Sequence, residues 1–341
     1  MAEVSVVIPS YNHAPFVAEA VRSVLDQSFA DLELFVIDDG STDGSLEILT
    51  GIDDPRVCVI TQENRGAHAA INRGLEMASA PYLAILNSDD AYSPKRLEKM
   101  LPVLKGDPSV GIVGSYIEVV DVGGRRLGVK HGYRDLEPWL LEAPHRSFRA
   151  GDDLRAALLT ENYLATTSNF LLSRHWYEEV GPFRGLRYAH DWDFALRMAN
   201  LARIELMPEA LLRYRIHGGN TIRENQARMI FEICWCLAVH LPQHMGDGEW
   251  LLNTESPARR VEQLLYSIYT FNMDRVLNAM LLEDLSGNED LAVALLEPGN
   301  ARRSQYLEYI QHHLGDASAG DRVPLFAKFT SRLKSLLGRR G

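Results

Sequence analysis

The sequence predicts an α/β fold in which a largely parallel sheet, with helices on both faces, is followed by a helical region. Two observations support this. Four apolar runs of five or six residues alternate with segments of helical periodicity in the first 90 residues, as βαβ units require. Helical patterns then dominate from about residue 223. We expect a sheet-based domain over residues 1–222, a helical region over 223–316 and a basic amphipathic tail over 317–341.

The predicted strands follow one another with a helix after each of the first three. Residues 4–9 are continuous and β-branched, which is typical of a strand covered on both faces. The other three runs lie at 32–37, 56–61 and 82–86, and the helices lie at about 15–27, 43–49 and 67–77. Later segments predict a hairpin over 109–129, a long loop over 130–153, extended chain over 162–172, a helix that opens at 190–194 and a strand over 210–216.

Polar residues follow the first strands, and the carboxyl ends of parallel strands lie at one edge of a sheet. Tyr11, Asp38 and Asp39 occupy such positions, where a flat ring and hydrogen-bond acceptors suit a base and a ribose. Each also has a local interpretation, because Tyr11 could be a core aromatic residue and the two aspartates could stabilise a turn. Their clustering at successive strand ends favours nucleotide binding.

An acidic stretch, Asn87-Ser88-Asp89-Asp90, ends the fourth strand. Adjacent carboxylates at this edge suit a hard divalent cation that bridges a diphosphate. The alternative is a helix cap, because Ser93-Pro94 begins the next helix a few residues later. Neither a Gly-x-Gly-x-x-Gly motif after the first strand nor a Walker glycine-lysine loop is present, which argues against dinucleotide enzymes and common NTPases.

The charge distribution is uneven along the chain. The 341 residues carry a net charge of −11, which argues against nucleic acid as a partner. Residues 322–341 contain six basic and no acidic residues, so this tail carries +6 and the remainder carries −17. On a helix the leucines and phenylalanines of the tail share one face, which predicts a peripheral contact with an anionic membrane. Docking on the protein's own core is the alternative.

The sequence also bears on the cellular compartment. The three cysteines have neither the spacing of a redox pair nor that of a zinc site, which is typical of core thiols in a reducing compartment. No apolar run approaches the roughly 18 residues of a membrane span, and the N-terminal residues lack the pattern of a signal peptide. We expect a cytoplasmic protein, held at the inner face of the cell membrane if the tail binds lipid.

The first hundred residues resemble the inverting family 2 glycosyltransferases of GT-A fold. The resemblance rests on four motifs in the right order, Val6-Val7-Ile8-Pro9-Ser10-Tyr11-Asn12, Val36-Ile37-Asp38-Asp39-Gly40-Ser41-Thr42-Asp43, Asn64-Arg65-Gly66 and Ser88-Asp89-Asp90. It implies that a nucleotide-diphosphate sugar is held by Pro9, Tyr11, Asn12, Asp38, Asp39, Asn64, Arg65, Gly66, Ser88 and Asp89. It also implies a divalent metal, Mn²⁺ or Mg²⁺, at Asp90. Asn87 stands where many relatives carry the first aspartate.

The same resemblance implies roles in the second half. Asp191 matches the acidic residue that the family uses as general base, although a helix cap is its local alternative. Asp193 lies about 200° away from it on the helix and is expected to face elsewhere. His190 stands where relatives commonly have glutamate, and with Trp192 it is a candidate for the acceptor side. His217 matches a histidine that completes the coordination of the metal.

These residues and the resemblance together imply an inverting glycosyltransferase. It would move a sugar from a nucleotide-diphosphate sugar to a hydroxyl of a saccharide acceptor, and a UDP-sugar is the favoured donor. A membrane location would fit a lipid-linked acceptor in surface polysaccharide or glycan assembly. One alternative is a sugar-phosphate nucleotidyltransferase, but residues 10–13 lack the glycine-rich basic loop that it needs. The other is a nucleotide-sugar-binding scaffold subunit without catalysis, which the presence of Asp90 and Asp191 disfavours.

Overall fold

The computed structural model is built around one nine-stranded mixed sheet of order β3-β2-β1-β4-β8-β6-β9-β5, with β7 paired to β6. It describes residues 2–131, 154, 158, 162–221, 224–245, 272–285 and 288–316. The strands are β1 (Val4–Ser10), β2 (Leu32–Asp38), β3 (Val57–Thr61), β4 (Tyr82–Ile85), β5 (Ala91–Tyr92), β6 (Val110–Val120), β7 (Arg126–Lys130), β8 (Leu171–Ser173) and β9 (Arg203–Arg215).

The helices within the sheet-based part are α1 (Val17–Leu25), α2 (Ser45–Thr50), α3 (Ala67–Met77), α4 (Arg96–Gly106), α5 (Arg174–Val180) and α6 (His190–Leu201). They cover both faces of the sheet, as predicted. Val4, Val6 and Ile8 of β1 pack into the core shared with α1 and α4, whereas Val7 faces the core shared with α3 and α6. Because successive side chains of a strand point to opposite faces, a continuous apolar strand supplies both cores.

Strand directions decide where the carboxyl ends meet. β1 runs parallel to β2 and to β4, and β2 runs parallel to β3. β8 is antiparallel to both β4 and β6, so β4 and β6 share a direction, and β9 runs parallel to β6. The carboxyl ends of β1, β2, β4 and β9 therefore lie at the same edge of the sheet, where ligands bind in open α/β folds.

Three sequence expectations about strands can be compared with the structure. The hairpin is confirmed as the antiparallel pair β6 and β7. The strand expected over 210–216 is longer, since β9 begins at Arg203 and pairs along β6. The expectation of extended chain over 162–172 is largely wrong, because a 3₁₀ turn forms at Thr167–Asn169 and only Leu171–Ser173 is a strand. The Thr166 side chain accepts a hydrogen bond from the Ser168 backbone N–H and thereby starts this turn.

The predicted helical region contains α7 (Gln226–Met245), α8 (Asn272–Leu285), α9 (Glu289–Ala294) and α10 (Ala301–Asp316). Phe231 and Trp235 of α7 are buried in the same core as Phe194 of α6, together with Leu277 and Leu281 of α8. The helical region therefore packs on the sheet through α6. No helix among the described residues is long and apolar enough to cross a membrane. Most of the predicted loop over 130–153, and the whole tail over 317–341, lie outside the described residues.

Candidate functional site

The loops that follow β1 and β2 are joined by Asn12, which was predicted to bind the donor. Its backbone N–H donates to Ser41 Oγ at 3.0 Å, and its side-chain Oδ1 accepts from the Thr42 N–H at 2.8 Å. Asn12 has φ of 54°, a left-handed conformation that asparagine tolerates better than most residues. In this structure Asn12 therefore links the two loops, and its contacts are made within the protein.

The two aspartates at the end of β2 have different environments. Asp39 accepts three hydrogen bonds, from Gln62 Nε2 at 2.7 Å, from the Arg65 N–H at 2.9 Å and from the Gly66 N–H at 2.8 Å. Asp38 is 1% exposed, and its Oδ1 is buried without a hydrogen-bond partner. Burying a bare acceptor is costly unless a ligand pairs with it. Asp39 thus holds the Asn64-Arg65-Gly66 loop in place, whereas Asp38 has an oxygen free for a ligand.

The end of β1 adds two features beside Asp38. The Ser10 Oγ is also buried without a partner, and Ser10 and Asp38 are paired in register between β1 and β2. Tyr11, the next residue, is 43% exposed, which is high for a large aromatic side chain and contradicts a core role. Pro9 is buried inside β1 and cannot itself present a polar group. This strand end therefore offers an exposed ring beside two unpaired oxygen atoms.

The acidic stretch after β4 meets two histidines. His217 Nε2 lies 2.9 Å from Asp89 Oδ2, and His13 Nδ1 lies 2.8 Å from Ser88 Oγ. Metal-ligating atoms of His13, Asp89 and His217 all lie within 4.8 Å of one another. The Phe16 ring packs against His217 with ring centroids 5.0 Å apart. One carboxylate and two imidazoles at this spacing could hold a divalent cation.

The structure corrects the predicted pairing of Asp90 with His217. Asp90 Oδ2 accepts from Ser168 Oγ at 2.6 Å, and Asp90 Oδ1 accepts from the Arg215 N–H at 3.0 Å. Both of its oxygens are therefore engaged by the protein, and the side chain is 1% exposed. Asp89 is the carboxylate in contact with His217. Side chains of adjacent residues point in different directions, so only one of the two can face the histidine.

Charge at the pair of aspartates is distributed unequally. Burial raises the pKa of Asp90 well above its ordinary value, and the negative charge of Asp89 raises it further. Burial acts in the same direction on Asp89, but the hydrogen bond from His217 and the nearby histidines hold the pKa of Asp89 below its ordinary value. Asp89 is consequently the ionised member of the pair. An ionised carboxylate beside a histidine is the form that a cation requires.

Asp191, the predicted base, lies in the first turn of α6 and is 7% exposed. Its Oδ2 accepts from Asn162 Nδ2 at 2.9 Å, and its Oδ1 accepts from the Trp192 N–H at 2.8 Å. Burial raises the pKa of Asp191 to about 6, although these two hydrogen bonds act against the rise. A carboxylate with a pKa close to neutral is suited to accept a proton at physiological pH.

Of the two neighbours of Asp191, Trp192 differs from expectation. Trp192 is 9% exposed, and its ring Nε1 donates to the Leu158 carbonyl at 2.7 Å, so it serves the core rather than an open acceptor surface. His190 is partly buried and packs edge-on against Phe183, with ring centroids 6.3 Å apart. Burial lowers the pKa of His190, which keeps the imidazole neutral at pH 7.

One segment joins Asp191, the predicted base, to the acidic stretch. Asn162 contacts Asp191. A few residues later the Ser168 hydroxyl donates to Asp90, and its Oγ accepts from the Asn87 N–H at 2.9 Å. Thr166 accepts from the Asn87 side-chain amide at 2.9 Å. Residues 162–168, which we name the bridging segment, therefore connect Asp191 to the residues that follow β4.

Sequence reasoning missed four residues of this site. Asn162 and Ser168 lay in a stretch that was expected to be plain extended chain. Arg215 is 2% exposed; its Nε donates to the Asp89 carbonyl at 3.0 Å, and its guanidinium pairs with Glu19 at 2.6 Å. His13 directly follows the first motif, and its position one residue after Asn12 was the available signal.

Comparison with known proteins gives consistent results. The chain is 28% identical over 226 residues to an uncharacterized glycosyltransferase of Nostoc sp.. The aligned region covers 64% of this chain and 66% of that protein. It is also 28% identical over 220 residues to the chondroitin synthase of Escherichia coli, and this aligned region covers 64% of the chain and 29% of that protein. The chain therefore spans about two thirds of the first relative and under a third of the second.

Solved structures show the same fold at lower identity. The structure of S. aureus TarS 1–349 in complex with UDP-GlcNAc has a TM-score of 0.58 and 17% identity, and the match covers 92% of this chain and 91% of that one. The mannosyltransferase PcManGT from Pyrobaculum calidifontis, in complex with GDP-Man and Mn²⁺, has a TM-score of 0.54 and 18% identity, with 94% and 88% covered. The fold is thus the GT-A fold.

The four motifs all fall within the span that a family profile recognises. The profile of "Glycosyl transferase family 2" matches residues 5–181, slightly more than half of the 341 residues. This span runs from β1 through the acidic stretch and the bridging segment to the end of α5. With the GT-A sheet and the polar residues gathered at its carboxyl edge, the match shows that the chain belongs to glycosyl transferase family 2.

Proposed function

We propose that the protein is a metal-dependent inverting glycosyltransferase that moves a sugar from a nucleotide-diphosphate sugar to a hydroxyl of a saccharide acceptor. The observation that carries this proposal is Asp191, a buried carboxylate with a pKa of about 6. The bridging segment links this carboxylate to Asp90, which is adjacent in sequence to Asp89 of the His13–Asp89–His217 cluster. A base near its operating pH beside a diphosphate site is what a single direct displacement needs.

Asp191 would act as the general base. At pH 7 a group with a pKa of about 6 is largely ionised, so the carboxylate can accept the proton of the acceptor hydroxyl. The hydroxyl oxygen then bonds to the anomeric carbon as the bond from that carbon to the diphosphate oxygen breaks. Attack from the face opposite the leaving group inverts the anomeric configuration. Asn162 and the Trp192 N–H hold the carboxylate in a fixed orientation during this step.

The donor set fits a divalent cation, Mn²⁺ or Mg²⁺. His217 and Asp89 would hold it, with His13 as a third donor whose other ring nitrogen is fixed by Ser88. A histidine ligand is commonly oriented through its second nitrogen in this way. When bound, the cation neutralises charge on the leaving diphosphate. Two imidazoles favour Mn²⁺ over Mg²⁺, which prefers oxygen ligands. The Mn²⁺ in the PcManGT complex supports this choice.

Asp90 has a supporting role in this proposal. It holds the Ser168 hydroxyl and the Arg215 N–H, while Arg215 also contacts the carbonyl of Asp89. These contacts orient the loop so that the Asp89 carboxylate faces His217. Removal of Asp90 would therefore disturb the cation site indirectly.

The unpaired oxygens of Asp38 and Ser10 would recognise the base of the donor. A carboxylate oxygen accepts a hydrogen bond, and neutral uracil and guanine present a ring N–H, whereas neutral adenine and cytosine do not. The exposed ring of Tyr11 offers a stacking surface for the base. We infer a uridine or guanosine diphosphate sugar, with UDP-sugar as the first choice. TarS in complex with UDP-GlcNAc and PcManGT in complex with GDP-Man fit this restriction.

The acceptor is inferred from the relatives and from the tail. Similarity to a chondroitin synthase supports a saccharide acceptor in polysaccharide assembly. The basic tail over 322–341 supports a peripheral membrane contact, and hence a lipid-linked acceptor.

Donor hydrolysis tests the proposal, because water can replace an unidentified acceptor. The protein is incubated with UDP-GlcNAc, GDP-Man and Mn²⁺, and the nucleotide product is identified. We expect slow, Mn²⁺-dependent release of nucleoside diphosphate, with the nascent sugar in the opposite anomeric form by NMR at early times. Release of pyrophosphate would indicate a nucleotidyltransferase instead. Binding of UDP without turnover of any nucleotide sugar in a wider panel would indicate a binding subunit.

A further inference from the structure

Helix α6, which carries Asp191, begins without a capping side chain of its own. Its N-cap residue is Ala189, which has no side-chain oxygen. Glu232 of helix α7 supplies the missing acceptor: its Oε2 accepts from the Tyr188 N–H at 2.6 Å and from the Ala189 N–H at 3.3 Å. Glu232 is 2% exposed, so both bonds form away from water. A negative charge at the start of a helix is also favoured by the helix dipole.

Helix α7 makes a second polar contact with the first turn of α6. His240 Nε2 lies 3.0 Å from Asp193 Oδ1, and these two side chains are 1% and 0% exposed. Asp193 also accepts from Arg184 at 2.9 Å and from Arg197 at 3.0 Å. Burial alone would raise the pKa of Asp193, but the His240 hydrogen bond and the two arginines lower it to about 2.

The cluster around Asp193 is an ion-pair network. Ligating atoms of Asp193, Cys236 and His240 lie within 4.8 Å of one another, which is the spacing of a metal site. However, the two guanidinium groups already balance the single carboxylate, and a divalent cation would be repelled by them. The cluster therefore serves to join α6 and α7.

The contacts of α7 come from one face of that helix. Glu232, Cys236 and His240 are spaced four residues apart, so they form a stripe along α7. The stripe meets α6 at two points, just before its first residue and at Asp193. Asp191 lies between these two points. The backbone that carries the carboxylate is therefore fixed on both sides by the helical region.

We propose that Glu232 and His240 are positioning residues, through which the helical region sets the orientation of the Asp191 carboxylate towards the acceptor hydroxyl. This inference rests on the proposed role of Asp191 as the base. A displacement of about 1 Å in a catalytic group can lower a rate by about 10²-fold. Donor binding depends on residues that follow β1, β2, β4 and β9, so displacement of α6 leaves that binding unchanged.

Substitutions at Glu232 separate position from charge. Glu232→Gln keeps an oxygen at the distance required to accept both N–H groups, although it loses the charge. Glu232→Asp keeps the charge but withdraws the carboxylate by one methylene. The matched control is Leu281→Ala, which opens the fully buried core of the helical region without touching α6 polar contacts. His240→Ala removes one of three partners of Asp193 and should act more weakly.

The assay is Mn²⁺-dependent hydrolysis of UDP-GlcNAc, with UDP affinity measured by calorimetry and amide exchange followed over residues 186–194. We expect Glu232→Asp to lower kcat by about 10- to 10²-fold with unchanged UDP affinity and faster exchange over 186–194. Glu232→Gln should stay within about threefold of the wild-type kcat, because the acceptor oxygen remains. Leu281→Ala should lower the melting temperature while kcat stays near that of the wild type.

Two results would overturn the inference. One is a wild-type kcat in folded Glu232→Asp; the other is an equal fall in kcat for Glu232→Asp and Leu281→Ala, which would reflect general stability. Failure of the proposed function has a different signature, namely full activity of Asp191→Asn or no turnover by the wild-type protein. The two failures can therefore be distinguished within one set of variants.

Discussion

Asp191 offers the sharpest test of the proposed active site, because the raised pKa of its carboxyl predicts how kcat should change with pH. With a pKa of about 6, about 90% of Asp191 is ionised at pH 7 and about 10% at pH 5. If the carboxylate is the base, kcat for donor turnover should fall about tenfold between these two values. An aspartate with its ordinary pKa of 3.8 would remain roughly 95% ionised at pH 5, and the rate would hardly change.

The substitution Asp191→Asn itself should reduce kcat by about 10²- to 10⁴-fold, the usual contribution of general-base catalysis. UDP affinity in the presence of Mn²⁺ should be unchanged, because Asp191 lies on α6 and not among the loops proposed to hold the nucleotide. The residual activity of Asp191→Asn should lack the dependence on pH between 5 and 7. Asp53→Asn, which removes an exposed carboxylate before β3, is the matched control.

Two effects on stability oppose each other in Asp191→Asn. The folded pKa of about 6 lies above the ordinary 3.8, so the ionised carboxylate costs stability as pH rises from about 4 to 6, and the full cost applies at pH 7. A shift of two units corresponds to about 3 kcal/mol, which the neutral amide recovers. The amide also presents N–H groups to Asn162 Nδ2, and the lost hydrogen bond costs about 1–3 kcal/mol.

The two terms are similar in size, so the melting temperature of Asp191→Asn should stay within a few degrees of the wild type. Loss of activity would then be chemical and not due to unfolding. The reasoning is refuted if kcat is flat between pH 5 and 7 while Mn²⁺-dependent UDP binding is retained at both, or if Asp191→Asn turns over the donor at a near-normal rate.

Three further predictions concern the donor site and the tail. Asp89→Ala and His217→Ala should each weaken Mn²⁺-dependent UDP binding by at least about tenfold in calorimetry. Substitution of the exposed His175 by alanine is the control and should leave this affinity unchanged. Equal UDP affinities in all three variants would show that the cation does not bind at Asp89 and His217. Asp39→Ala should release the loop at residues 64–66 and weaken UDP binding even without metal. Unchanged amide hydrogen exchange at residues 64–66 in this variant would contradict the prediction. Deletion of 322–341 should abolish binding to anionic liposomes but leave donor hydrolysis intact; liposome binding by the truncated protein would exclude the tail as anchor.

The structure also shows that Asp193→Ala cannot serve as a control for substitutions at Asp191. Because Asp193 lies on another face of α6, Asp193→Ala looks from the sequence like a harmless partner to Asp191 substitutions. The Asp193 side chain is fully buried, and its removal would leave the largely buried Arg197 guanidinium and the partly exposed Arg184 guanidinium without their carboxylate. Breaking a buried ion pair in this way costs about 4 kcal/mol. Asp193→Ala is therefore a destabilising variant and not a control.

The sequence by itself determined the alternating strands and helices from β1 to β4 and the edge of the sheet at which their polar residues collect. These are local properties: apolar runs in β1, β2 and β4 have the length of strands, and turn residues follow each of them. The motifs then placed the proposed donor site at the ends of those strands. The helical region was recognised in type for the same reason, since periodicity within a helix is set by neighbouring residues.

Tertiary structure decided which of these residues has an atom free to act. Asp38 and Asp39 are adjacent and chemically identical, yet only Asp38 keeps an unpaired oxygen, because the loop at 64–66 occupies Asp39. Asp89 rather than Asp90 meets His217, a contact between residues 128 positions apart. The pKa of Asp191 is raised by burial beneath parts of the chain that are distant in sequence. Hydrogen bonds and desolvation depend on atoms that folding brings together, so they cannot be predicted from the local sequence pattern around each residue.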